Sequence, residues 1–245
     1  MTAIEQYRKS LQETLDRAFD TQADKLEQAA RMILDTLKAG KLVYTFGTGH
    51  GHLLALEIFY RAGGMAAVCP VLDEKLMLHI SAAGSTREER KEEWVEELLR
   101  RYPMGEGDTL LIFSNSGRNA VPVGLAEEAK KRGTRVIALT SLRHSSSVTS
   151  RSPRGLRLFE TADLVLDNCG IPGDAIVEFP DGRRVGPTST AVGAALLQAV
   201  VCRVKELSME EGVDARFFVS SNVDGGDAVN DLLVEEYGDR VPGLR

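Results

Sequence analysis

The sequence predicts an α/β fold, a parallel β-sheet flanked by helices on both faces, with an N-terminal helical extension. Three observations carry this. Short apolar runs alternate with helical patterns in repeated β-then-α order, which builds parallel sheets. Runs such as Leu42–Phe46, broken only by Thr45, and the LLIF of 110–113 are apolar, as strands buried on both faces tend to be. Polar loops rich in glycine, serine and threonine fall directly after strand ends, where such sheets hold ligands.

The chain has 245 residues, 43% hydrophobic and 27% charged, with a net charge of −6. That length supports an ample core. An acidic balance argues against nucleic acid as a partner, because neutralising phosphate backbones takes basic clusters. Cys69, Cys169 and Cys202 are widely spaced and form no CxxC pair, so neither a zinc site nor a disulfide framework is expected. The N-terminus is polar and periodic, unlike a signal peptide. No apolar run approaches the roughly 18 residues that span a bilayer. A soluble, cytoplasmic protein with no membrane partner is expected.

Residues 1–39 contain no Gly or Pro and place Ile4, Tyr7, Leu11, Leu15, Ala18, Leu26, Ile33 and Leu37 at helical spacing, for one long helix or two with a restart near Asp20. Gly40 is a stop signal. Strand Lys41–Phe46, helix His52–Ala62 and strand Ala66–Val71 follow. A helix over Thr86–Tyr102 is expected to open with a capping box, Thr86 with Glu89. Strand Thr109–Phe113, helix Ala120–Arg132, strand Arg135–Thr140 and short strand Leu164–Leu166 continue the alternation. A long helix spans Thr188–Leu207. The tail adds a strand, Arg216–Val219, and a helix, Ala228–Tyr237. The segment 141–155 is polar, basic and long for a connector, as functional loops often are.

Three loops could carry chemistry. The first is Gly47-Thr48-Gly49-His50-Gly51, where glycines let backbone N–H groups approach an anion ahead of a helix N-terminus. A dinucleotide fingerprint GxGxxG would need its third glycine at 52, where His52 stands, and no Walker lysine follows. The second loop, Ser114-Asn115-Ser116-Gly117-Arg118, sets two hydroxyls, an amide and a guanidinium at one helix start, each able to donate to phosphate oxygens. The third, Gly186-Pro187-Thr188-Ser189-Thr190, again puts hydroxyls at a helix N-terminus. A plain N-cap explains one such residue per helix; the three loops together point to a shared anionic, hydroxyl-rich ligand.

The strand–GTGHG–helix unit, the strand–SNSGR–helix unit and the GPTST helix start resemble the SIS (sugar isomerase) domain family. The resemblance covers roughly residues 40–207 and implies a flavodoxin-like SIS sandwich, with 1–39 used for a homodimer or homotetramer and 208–245 as a C-terminal extension of one domain, 1–245. It implies a sugar phosphate ligand held by Gly47, Thr48, Gly49, Gly51, Ser114, Asn115, Ser116, Gly117, Arg118, Thr188, Ser189 and Thr190. Phosphoheptose isomerases are similar at the first loop, but their catalytic Glu falls where this chain has Arg61. Their later helix carries a Glu and a catalytic His, where this chain has only Ala194, Ala195, Leu196 and Leu197.

Aldose–ketose isomerisation needs a base near the sugar carbon and a donor for the oxygens. Glu57 is flanked by apolar residues and could be that base, or could pair with Arg61 at i,i+4. His50 lies within the glycine loop. Asp73, Glu74 and His79 follow the second strand. Glu57, His50 and His79 are therefore the candidates for proton transfer, and His144, in the basic loop with Arg143 and Arg151, for closing over a ligand in its own or a partner's site. His50, His52 and His79 show no metal spacing, so no metal or other cofactor is expected. The expected activity is a phosphosugar isomerase. A sugar-phosphate sensor without catalysis, or a lyase or deaminase of amino-sugar phosphates, are the alternatives.

Overall fold

The computed structural model describes all 245 residues, Met1–Arg245. Helix α1 (Ala3–Lys38) runs unbroken for 36 residues, with no restart near Asp20. It opens with a reciprocal cap: the Thr2 hydroxyl accepts the Glu5 N–H at 3.3 Å and the Glu5 carboxylate accepts the Thr2 N–H at 2.7 Å. Its second half buries Ala29, Ala30, Ile33 and Leu34, whereas Ile4 near its start is exposed.

Strands β1 (Val43–Gly47), β2 (Val68–Pro70), β3 (Thr109–Phe113), β4 (Arg135–Thr140) and β5 (Leu164–Asp167) form one parallel sheet in the order β2-β1-β3-β4-β5. Alternate residues feed opposite layers, because successive side chains of a strand point to opposite faces. Tyr44, Phe46, Leu110, Ile112, Val136 and Ala138 join one core with helices α4 (Glu93–Arg101) and α5 (Ala120–Lys131). Val43, Leu111, Phe113, Ile137 and Leu139 join the other, with α1, α2 (Gly51–Glu57) and α8 (Ser189–Glu210). The expected α/β architecture is thus present, and the strand order reverses between β1 and β3. Ligands of such sheets bind at that switch point, outside the carboxyl ends of the strands.

Several local expectations are corrected by long-range packing. The helix after β1 ends at Glu57, well short of Ala62; Ile58 turns into one core, and Tyr60, at φ +39°, lays its ring edge-on against Phe218. The helix expected over Thr86–Tyr102 is two, α3 (Ala82–Glu88) and α4. No capping box forms at Thr86: Ser81 caps α3, and the Thr86 hydroxyl donates back to the Ala82 carbonyl. Glu89 instead lies in the break, its carbonyl accepting the Val121 N–H at 3.1 Å. The strand expected at Arg216–Val219 is reduced to a single bridge, Phe217 with Met65.

The basic segment expected as a connector, 141–155, begins with a short helix, α6 (Leu142–Ser146), and is followed by another, α7 (Leu158–Thr161). An antiparallel hairpin, β6 (Ala175–Glu178) with β7 (Arg184–Pro187), is inserted before α8 and was not expected. Helix α9 (Gly226–Tyr237) closes the chain and packs Leu233 into the first core. No helix is long and apolar enough to cross a membrane.

Candidate functional site

A cleft of about 430 Å³ opens at the carboxyl ends of β1 and β3, at the switch point. The β1 loop gives it Thr48, His50 and Gly51; the β3 loop gives Ser114, Asn115, Ser116 and, at the α5 cap, Asn119. Ser189 and Thr190 enter from the start of α8, and Glu89, His144, Asn168 and Asp174 complete the polar lining.

Two glycines let β1 and its helix come this close. A Cβ on Gly47 would lie 2.3 Å from the Gly51 carbonyl carbon, and one on Gly51 would lie 2.5 Å from the Phe113 carbonyl oxygen. The missing fingerprint glycine at 52 is therefore not needed for packing, since Gly51 already makes that approach. His52 is buried and donates from Nδ1 to the Gly49 carbonyl at 2.5 Å, which fixes the turn and keeps it out of the cleft lining. The loop amides are partly spent on the chain itself, Gly49 N–H to Leu76 O and Gly51 N–H to Thr48 O.

The β3 loop is differently arranged. Its carbonyls are tied down: Ser114 O accepts the Thr140 hydroxyl at 2.7 Å, Asn115 O the Ser141 N–H, and Gly117 O the Leu158 N–H. The Asn115 side chain is held by the Asn168 amide at 2.9 Å. The backbone N–H groups of Asn115 and Ser116 donate to no carbonyl of the chain. Gly117 has φ +56°, and a Cβ there would lie 2.9 Å from the Ser145 hydroxyl, so this turn requires glycine. The loop is thus held at its carbonyls, and Ser114, Asn115 and Ser116 line the cleft. Arg118 does not line it; its guanidinium donates to the Thr149 carbonyl at 2.8 Å and pins the basic loop.

At α8 the expected hydroxyls meet an internal anion. Asp174 Oδ1 accepts the Thr188 and Ser189 N–H groups, and Oδ2 accepts the Ser189 hydroxyl at 2.5 Å. Thr188 is fully buried behind them.

Of the expected proton-transfer residues, the cleft contains His50 alone. The Glu57 carboxylate pairs with Arg61 and accepts the Gln198 amide at 3.1 Å, away from the lining. His79 is exposed beyond His52, their ring centroids 6.4 Å apart. Asp73 caps the single turn Glu74–Leu76 and pairs with Arg101. In their place the cleft holds Glu89, whose two oxygens accept the Thr48 hydroxyl at 2.7 Å and the Asn119 amide at 2.8 Å. No local pattern marks Glu89; its pattern reads as a helix cap. His144 does line the cleft. Burial is the main cause holding its pKa below the usual imidazole value, and Arg118 adds to this while Asp174 opposes it. No cluster of three or more His, Cys, Asp or Glu side chains forms that could hold a metal ion.

Comparison with known proteins identifies the family and the fold. The SIS domain profile matches residues 6–141, more than half of the chain. A UPF0309 protein of Listeria monocytogenes is 38% identical over 231 residues, 94% of each chain. Among solved structures, a phosphoheptose isomerase from Neisseria gonorrhoeae superposes with a TM-score of 0.57 at 16% identity, over 83% of this chain and 97% of that one. The sugar isomerase domain of an RpiR transcription factor from Sphaerobacter thermophilus gives a TM-score of 0.50 at 18% identity, over 86% and 96%. At these identities the two structures speak for the fold alone, whereas the profile and the full-length relative show that the chain belongs to the SIS domain family.

Proposed function

We propose that the protein binds a sugar phosphate in the switch-point cleft and interconverts its aldose and ketose forms. The observation that carries this reading is the β3 loop. Ser114 and Ser116 bring hydroxyls, and Asn115 and Ser116 unspent backbone amides, to one end of a cleft that also holds titratable side chains. Phosphate dianions suit such a frame, because charge-assisted hydrogen bonds to fixed donors cost little reorganisation. The sugar would extend toward Glu89, His50 and His144. Its substrate class agrees with the name of the Neisseria relative in fold, a phosphoheptose isomerase.

In this reading the phosphate rests on the β3 loop, with Gly117 as its turn and Arg118 as its outer strut. The β1 loop, Gly47 to Gly51, borders the sugar. Residues 1–245 act as one unit, and the exposed first turns of α1 are the natural surface for a second copy. A sugar-phosphate sensor is the second reading, favoured by one observation: Glu57 and His79 stand outside the cleft.

The test is thermal unfolding against a panel of sugar phosphates and their unphosphorylated parents, followed by a turnover assay on every ligand that binds. A ligand at about a hundred times its Kd adds roughly 2.7 kcal/mol of stability. Shifts with phosphosugars alone, and turnover of at least one, are expected. Binding without turnover replaces the isomerase by the sensor; no shift with any phosphosugar removes both.

A further inference from the structure

We infer that Glu89 is the base that takes and returns the carbon-bound proton of the sugar; this rests on the isomerase reading above. Only two carboxylates line the cleft, Glu89 and Asp174. Asp174 is already spent on the Thr188 and Ser189 amides and the Ser189 hydroxyl. Glu89 receives one neutral donor on each oxygen, Thr48 at 2.7 Å and Asn119 at 2.8 Å, and no Lys, Arg or His lies within ion-pair distance. The two donors come from opposite sides of the switch point, Thr48 from the end of β1 and Asn119 from the cap of α5. They fix the carboxyl group while leaving each oxygen a further acceptor site.

A second observation concerns the amide that holds Glu89. Asn119 is 6% exposed and lines the cleft, yet its Oδ1 is buried with no partner in the chain. Buried carbonyl oxygens are rarely left so. Turning the Asn119 amide over would bring Oδ1 against Glu89 Oε1, where the proton that Glu89 acquires in the reaction would be its donor.

The step balances without any co-reactant. Glu89 removes the proton from C2 of the open-chain aldose. The C2–H electron pair becomes the C1=C2 bond of an enediol, and the C1=O pair moves onto O1, which takes a proton from a neutral donor. Glu89 then delivers its proton to C1. The O2–H proton leaves to the group that protonated O1, and C2=O forms. His50 and His144 both line the cleft and could be that donor; burial favours the neutral imidazole of His144, which can both give and take a proton.

The experiment follows exchange and turnover by NMR in D₂O for the wild type, Glu89→Gln, Glu89→Asp and Glu57→Gln, on every phosphosugar that shifts the wild-type unfolding transition. Binding by each variant is measured in parallel. Glutamine is isosteric, and Asn119 can turn its amide so that Oδ1 accepts the new NH₂, so this variant should fold. Expected are unchanged binding by Glu89→Gln with loss of deuterium incorporation and turnover by about a hundredfold or more, and an intermediate rate for Glu89→Asp, which also covers misfolding of the first variant. Wild-type exchange by Glu89→Gln, or loss in Glu57→Gln with Glu89→Gln active, overturns the role of Glu89 and leaves the isomerase standing. A wild type that binds but neither exchanges nor converts any ligand overturns the isomerase, and this role with it.

Discussion

Asp174 and Ser189 share a two-point contact: Asp174 Oδ1 accepts the Ser189 N–H at 2.9 Å while Oδ2 accepts its hydroxyl at 2.5 Å. A carboxylate from the loop before β6 thereby occupies the positive end of α8, the place a ligand phosphate would take. Of the three loops that look like anion cradles, this one is filled by the chain itself. The β1 loop spends the amides of Gly49 and Gly51 on its own turn. The β3 loop keeps the amides of Asn115 and Ser116 and the Ser116 hydroxyl without partners in the chain, and at α8 only Thr190 is left so.

The Asp174 contact is predicted to be structural. Asp174 sits at φ +68°, a left-handed conformation that costs most side chains energy and that Asp tolerates better. Asp174→Ala loses the cap of α8 and keeps the strained backbone, for a cost of about 2 kcal/mol. At this chain length that is a fall in Tm of roughly 4–8 °C. Asp174→Asn should lose about half as much. Calorimetry of the two variants checks it, and equal Tm values to wild type would show that the cap contributes nothing.

Ser116→Ala is expected to leave the free protein unchanged and to weaken sugar-phosphate binding. The Ser116 hydroxyl faces the cleft and supports no other part of the loop. A hydrogen bond to a charged group is worth about 1.5–3 kcal/mol, so the Kd should rise roughly 10- to 150-fold. Titration calorimetry with the best ligand of the panel, beside an unfolding curve without ligand, separates the two effects.

The fold was legible because its strands are apolar on both faces and its loops are punctuated by glycine, features that depend on near neighbours in the sequence. The cleft residues on strand ends, Thr48, His50 and Ser114 to Ser116, were legible for the same reason. Glu89 was not. Its place is set by Thr48, 41 residues away, and by Asn119, 30 residues away, and local spacing assigned it to a helix cap instead. For Glu57 the sequence left two readings, a buried base or a partner of Arg61 at i,i+4, and the carboxylate pairs with Arg61 and the distant Gln198. Asp174 precedes a hairpin announced only by the three apolar residues Ala175 to Val177, because β7 is largely exposed.

Gly51→Ala should be costly for a reason of space. The added methyl would meet the Phe113 carbonyl oxygen at 2.5 Å, backbone against backbone, with no flexible side chain to yield. Parting β3 from the start of α2 should cost about 2–3 kcal/mol, and it should also widen the cleft between Thr48 and Ser114. A lower Tm together with weaker ligand binding is expected. A stable variant with unaltered binding would show that the two loops can separate freely.

His144 should make stability depend on pH above the range where carboxylates titrate. Its folded pKa lies below the unfolded value of 6.5, chiefly because burial disfavours the imidazolium. The unfolded chain therefore binds more protons than the folded one as pH drops below about 6.5, and stability rises with pH through that window. The contribution is fully present above the unfolded value and is lost as pH falls toward the folded one. Glu27, Glu88, Glu128 and Glu160 carry carboxyl pKa values lowered by Arg or Lys partners, Glu160 to about 2 by Arg157. Their stabilisation starts to fail only near 4.5 and below, so His144 acts in the interval between about pH 5 and 6.5. His144→Gln should flatten the Tm profile in that interval and leave the steeper acid limb in place. The same variant, measured with saturating ligand, tells whether the neutral imidazole is also what the bound sugar requires: if it is, the variant's ligand-induced shift becomes smaller at every pH, whereas wild type loses its shift only as His144 protonates.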